Sequence, residues 1–137
     1  MAKPMLAVLH VAFAWVALAF GLFVFQSLMS HALPGLLGQG PLHALMLGFF
    51  ASMLLGMASR VTMGHSGQPV APDSAMWFAF CMMQGAAALR VLSELPGLPG
   101  QYLSVWLSSV LWLAAFALWA RRFAPAYWRP RTDGKPG

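Results

Sequence analysis

Four long apolar runs, separated by short breaks rich in Pro and Gly, make up most of this chain. They cover Met5 to Met29, Leu42 to Met63, Ser74 to Leu92 and Tyr102 to Ala120. Roughly 20 apolar residues rising 1.5 Å each cross a hydrocarbon core, so every run predicts a transmembrane helix. The breaks are Leu33-Pro34-Gly35, Gly38-Gln39-Gly40-Pro41, Gly67-Gln68-Pro69 and Pro96-Gly97-Leu98-Pro99-Gly100, all turn-formers that stop helices. Asp73 or Ser74 supplies an N-cap for the third helix. Because the connections are short, successive helices must be antiparallel neighbours. The expectation is an all-α integral membrane protein, a four-transmembrane-helix bundle forming one membrane domain over 1–137. The first run is longer than a signal-peptide core and shows no small-residue cleavage site before His31, so it reads as a span.

Helices in lipid associate through small residues that let backbones approach. Ala7, Ala14, Ala17 and Gly21 form one such stripe on the first run, with His10 on it. The second run carries Ala44, Gly48, Ser52 and Gly56 at four-residue spacing, and the fourth has Ser104 and Ser108. These stripes predict helix packing within the chain or between copies of it.

Composition agrees with the pattern: 60% of the 137 residues are hydrophobic and 8% charged. A soluble domain carries about a quarter charged residues, so a water-facing surface is excluded. The ten Met read as packing. The single Cys81 has no partner thiol, which excludes a disulfide within the chain and thiolate metal sites, and reads as a small buried apolar residue. Net charge is +5, but the basic residues Arg121, Arg122, Arg129, Arg131 and Lys135 all follow the last run. A basic tail in that position is a topology signal and a contact for anionic membrane lipid rather than nucleic acid. Lys3 and Arg60 fall on the same side, and the first and third connections hold no Lys or Arg. Both termini are therefore expected to be cytoplasmic.

Ionisable groups inside spans are costly and face the bundle interior or a cavity. Here they are His10, His43, Arg60, Arg90 and Glu94, with His31 and His65 at span ends. Arg90 and Glu94 are four apart and pair with each other, or Arg90 meets an anionic group such as a cofactor carboxylate. The chain has almost no carboxylates. A di-metal carboxylate site and a mid-membrane acidic proton carrier are both excluded, as is zinc hydrolysis by a His-Glu-x-x-His helix. Imidazole alone inside an apolar bundle ligates haem iron or copper, or serves as a hydrogen-bonded packing element. No nucleophile–base pair is visible, so turnover is left open. Depth sorts the histidines into an inner set, His10 and His65, and an outer set, His31 and His43. His43 and His65 stand about 33 Å apart along a continuous helix and cannot share one iron within a chain.

Specific strings resemble the NnrS family. They are Arg60-Val61-Thr62-Met63-Gly64-His65-Ser66-Gly67 closing the second run, His43-Ala44-Leu45 opening it, and Leu9-His10 with Trp15 in the first. The tail from Trp128 to Gly137 looks like the end of that family's chains, and the likeness is to the C-terminal part of longer members. Gln68 stands where the family often has Arg. The resemblance implies a bacterial inner-membrane protein carrying haem b and copper, linked to denitrification and tolerance of nitric oxide. It further implies His10, His43 and His65 as metal ligands and Arg60 as the partner of a haem propionate; His31 matches no motif. The inner ligand pair expected from depth and motif together is His10 with His65. A homo-oligomer is expected, since longer members enclose their site with more spans. Two rivals stand beside this reading. One is a copper-handling protein using His with Met5, Met29, Met57 or Met63; the other is a cofactor-free structural subunit of a larger membrane complex.

Overall fold

The computed structural model describes residues 4–71 and 73–134, with side chains from Leu6 onward. Lys3, Lys135 and the end of the tail, and the side chain of Met5, lie outside the described residues. Four helices long and apolar enough to cross a membrane are present, and no strand occurs among the described residues. They are α1 (Pro4–Met29), α2 (Gly40–His65), α3 (Ser74–Leu92) and α4 (Gln101–Phe123), the last continuing into a 3₁₀ turn over Ala124–Tyr127. The third run coincides with α3, whereas α2 and α4 each reach a little beyond their runs. Helical hydrogen bonding carries on through flanking polar residues that hydropathy alone does not include. Asp73 is the N-cap of α3, its carboxylate accepting from the Met76 amide at 2.9 Å. Pro41 lies in the first turn of α2, where its missing N–H has no intrahelical partner to lose.

Helix α2 is the centre of the packing, with α1 on one side and α3 on the other; α3 and α4 pack along each other most extensively. Its small-residue stripe faces inward: Ala44, Gly48, Ser52 and Gly56 are all buried. The Trp15 indole lies directly on Gly48, and a Cβ at Gly56 would meet Val8 Cγ1 at 2.9 Å. The stripe is therefore occupied within the chain, by α1. A feature absent from the sequence pattern keeps it on one face. Residues Ala44–Ala51 wind as a π-helix, immediately after His43. Residues four apart drift around an α-helix, and the wider π turn drifts the opposite way, so the two geometries in series hold the stripe facing α1 and α3.

With no water in the hydrocarbon region, polar side chains must find partners inside the bundle. Trp15 Nε1 donates to Gln84 Oε1 at 2.7 Å, and Gln84 Nε2 donates to Ser52 Oγ at 2.6 Å, joining α1, α3 and α2. Ser108 donates across to the Ala86 carbonyl at 2.7 Å, and Trp119 donates to Ser59 at 3.0 Å. Val8, Met63, Met76, Phe80 and Phe123 form a buried cluster drawn from all four helices near the end that holds the termini. Cys81, expected to be buried, instead lies on the outer surface of α3. An apolar thiol facing lipid is desolvated as fully as one in a core, so hydropathy does not separate the two positions.

The tail is folded rather than free. Thr132 donates its amide and its hydroxyl to the Ser66 carbonyl, both at 3.0 Å, and Tyr127 shares a hydrogen bond with Thr62 at 2.9 Å. Arg131 and Asp133 pair bidentately at 2.9 and 2.7 Å. The tail thus packs on the turn that closes α2. Gly67 in that turn has φ +72°, and a Cβ there would press on Asp133.

Candidate functional site

At the end of the bundle away from the termini, three polar groups converge on Glu94, two residues past α3. Arg90, one turn earlier, donates to Glu94 Oε1 at 2.6 Å and to Ser93 Oγ at 2.9 Å. The Gln39 amide, at the entry to α2, donates to Oε2 at 3.2 Å. His43 Nδ1 lies 3.7 Å from Oε1. Partial burial opposes the charge on Glu94, but the Gln39 amide and the Arg90 guanidinium outweigh it and hold the carboxyl below its ordinary value. Glu94 is therefore an anion fixed between α2 and α3. Gly38 makes the approach possible, with φ +47° and no side chain to collide with the carboxylate.

His43 sits between this anion and a cleft of about 510 Å³. The cleft is lined by His43, Leu47, Arg90, Ser108, Trp112 and Leu113, from α2, α3 and α4. Its volume falls within the range of about 300–1,000 Å³ typical of small-molecule and cofactor sites. His43 Nδ1 is buried and makes no hydrogen bond, Glu94 being its nearest acidic neighbour. A carboxylate beside one ring nitrogen is the arrangement that orients a histidine for ligation through the other. Arg90 pairs with Glu94, as its helical spacing led one to expect, and it also lines the cleft.

The other sequence candidates lie apart from this cleft. His10 is exposed on α1 and donates from Nδ1 to the Leu6 carbonyl at 2.7 Å. His65 ends α2 and is exposed, as is Arg60 one turn before it. His31 is exposed in the connection after α1. Among the described residues, no side-chain hydrogen bond or ion pair joins His10, His65 and Arg60, or His31 and His43. No group of three or more His, Cys, Asp or Glu is placed to hold a metal ion among the described residues. Met63 is buried in the apolar cluster, and Met57 is exposed. Gln68 accepts from Arg122 Nη2 at 3.1 Å.

Sequence reasoning did not find the role of Glu94 beside His43, because the pair joins two helices and only Arg90 stands at helical spacing from Glu94. The common depth of His43 and Glu94 was the available signal. Trp112, Ser108 and Gln84 carried no signal beyond ordinary helix packing.

No curated protein and no solved structure matches the chain. The family model described as NnrS protein matches residues 1–131, nearly the full length and all four spans. This membrane protein belongs to the NnrS family.

Proposed function

We propose that the chain binds haem b in the cleft beside His43, and that it binds or buffers nitric oxide, or carries electrons, during nitrosative stress in the bacterial inner membrane. The observation that carries the reading is the juxtaposition of His43 with a fixed carboxylate on one side and a cofactor-sized cleft on the other. The residues fit the group. His43 supplies an imidazole whose Nδ1 is buried without a hydrogen bond 3.7 Å from Glu94 Oε1, and a carboxylate on that side would leave Nε2 as the ligating nitrogen. Arg90 supplies a guanidinium for a propionate, and Trp112, Leu47 and Leu113 supply apolar walls. Bound there, iron would supply reversible diatomic binding or one-electron exchange. The apolar walls exclude water. His43 is the one histidine that lines the cleft, so iron held by it would be open to a diatomic ligand. The NnrS resemblance implies both haem and copper and so supports a metal cofactor, and the volume of the cleft favours haem.

The optical spectrum of the purified protein, with quantified iron and copper, tests the reading. A Soret band with stoichiometric iron is the expected result. A colourless protein holding copper would favour the copper-handling alternative, and one holding neither metal would favour a structural subunit; each overturns the haem reading.

A further inference from the structure

The end of the bundle that holds the termini carries a second cleft, of about 530 Å³, which the haem reading leaves unused. It opens between the last turn of α4, the 3₁₀ turn and the Ser66–Gln68 turn, and Arg121, Arg122 and Arg129 line it. The three arginines differ in their partners. Arg122 is held by Asp73 and Gln68, and its guanidinium also lies 5.0 Å over the Phe123 ring. Arg121 and Arg129 meet no acidic group among the described residues and are exposed. The wall toward the bundle is apolar, formed by Leu118, Ala75 and Pro125. Tyr127 and Trp128 follow at 66% and 80% exposure. Exposed Tyr and Trp at a span end mark the level of lipid headgroups.

We infer that this cleft binds the phosphate group of an anionic membrane phospholipid, with Arg121 and Arg129 on the phosphate and the Leu118 wall against the first part of an acyl chain. Arg122 is the fixed cation of the site: its bonds to Asp73 and Gln68 tie it to the α2–α3 connection, so the site is built by the fold rather than by a loose tail. Charge complementarity argues for this occupant, because two guanidiniums without counter-ions stand where the lipid phosphates lie. Guanidinium also matches a phosphate oxygen pair bidentately.

Native mass spectrometry of the detergent-solubilised protein, titrated with phosphatidylglycerol, with phosphatidylcholine and with inorganic phosphate, tests the site. Retention of phosphatidylglycerol in preference to phosphatidylcholine is expected. Replacing both free arginines (Arg121→Gln with Arg129→Gln) should weaken it about 30-fold, at about fivefold for each arginine. Leu118→Trp, which crowds the cleft and leaves the charge unchanged, should weaken it as well. Circular dichroism on each variant establishes that the helices are intact, and a variant that loses them is replaced by the single substitution Arg129→Gln. Equal retention of both lipids overturns the assignment, as does unchanged retention in the arginine variants. Loss in the arginine variants with none in Leu118→Trp overturns the cleft in favour of diffuse charge. Inorganic phosphate displacing the lipid at equal concentration overturns the lipid as occupant in favour of a free anion.

Discussion

The indole of Trp15 occupies the space where a side chain at Gly48 would stand, and its N–H donates to Gln84 of α3 at 2.7 Å. One residue of α1 thereby locks both the depth and the rotation of α1 on the π-helical part of α2. Any side chain at Gly48 must displace a rigid ring. Gly48→Val should destabilise the bundle by about 3 kcal/mol, at the upper end of overpacking costs, as read from thermal unfolding in detergent. Trp15→Ala should recover part of that loss, because it removes the obstructing ring. Gly56→Ala crowds the Val8 methyl and touches Leu9 at ordinary contact distance, and it should cost less.

The tail offers a separate test. Gly67→Ala forces a Cβ into a left-handed conformation and against Asp133. It should release the tail at a cost of about 1–2 kcal/mol, raising amide exchange at Thr132 while α1 stays protected.

Asp73 gives the terminal end a dependence on acid. Partial burial opposes its charge, but the Met76 amide and the Arg122 guanidinium prevail and hold its carboxyl below the ordinary value. A depressed folded value means that the stabilisation is complete above the unfolded value and is lost as pH falls through the folded one. Loosening of the first turn of α3 should therefore begin below about pH 4. Asp73→Asn keeps the cap and removes the ion pair, so exchange at Met76 in that variant should lose most of its response to acid.

The four spans were legible because hydropathy over about 20 residues is a strong signal, and the Arg90–Glu94 pair because helical spacing is local. The π-helix was not legible, since nothing in Ala44–Ala51 distinguishes it from an α-helix of the same composition. The destination of the tail was hidden for a similar reason. Arg131 and Asp133 look like scattered surface charge until the Ser66 turn is placed beneath them. Of the histidines, depth separated His43 from His65 correctly along α2, but depth carries no information on which ones face a cleft.

Topology is directly measurable. Reporters at both termini should be cytoplasmic, and one placed between Pro34 and Gln39 should be periplasmic. The prediction rests on the basic residues that follow α4 and on Arg60 near the end of α2. A periplasmic C-terminal reporter contradicts it.

The most direct test of the haem reading is haem content in His43→Gly, measured with and without free imidazole. The account predicts at least a tenfold loss of haem per chain, recovered when imidazole occupies the space left by the side chain. Glu94→Gln should retain haem with a shifted spectrum, and His10→Ala and His65→Ala should keep the parent spectrum. Full haem content in His43→Gly with an unchanged spectrum would contradict the account and move the ligand to another histidine.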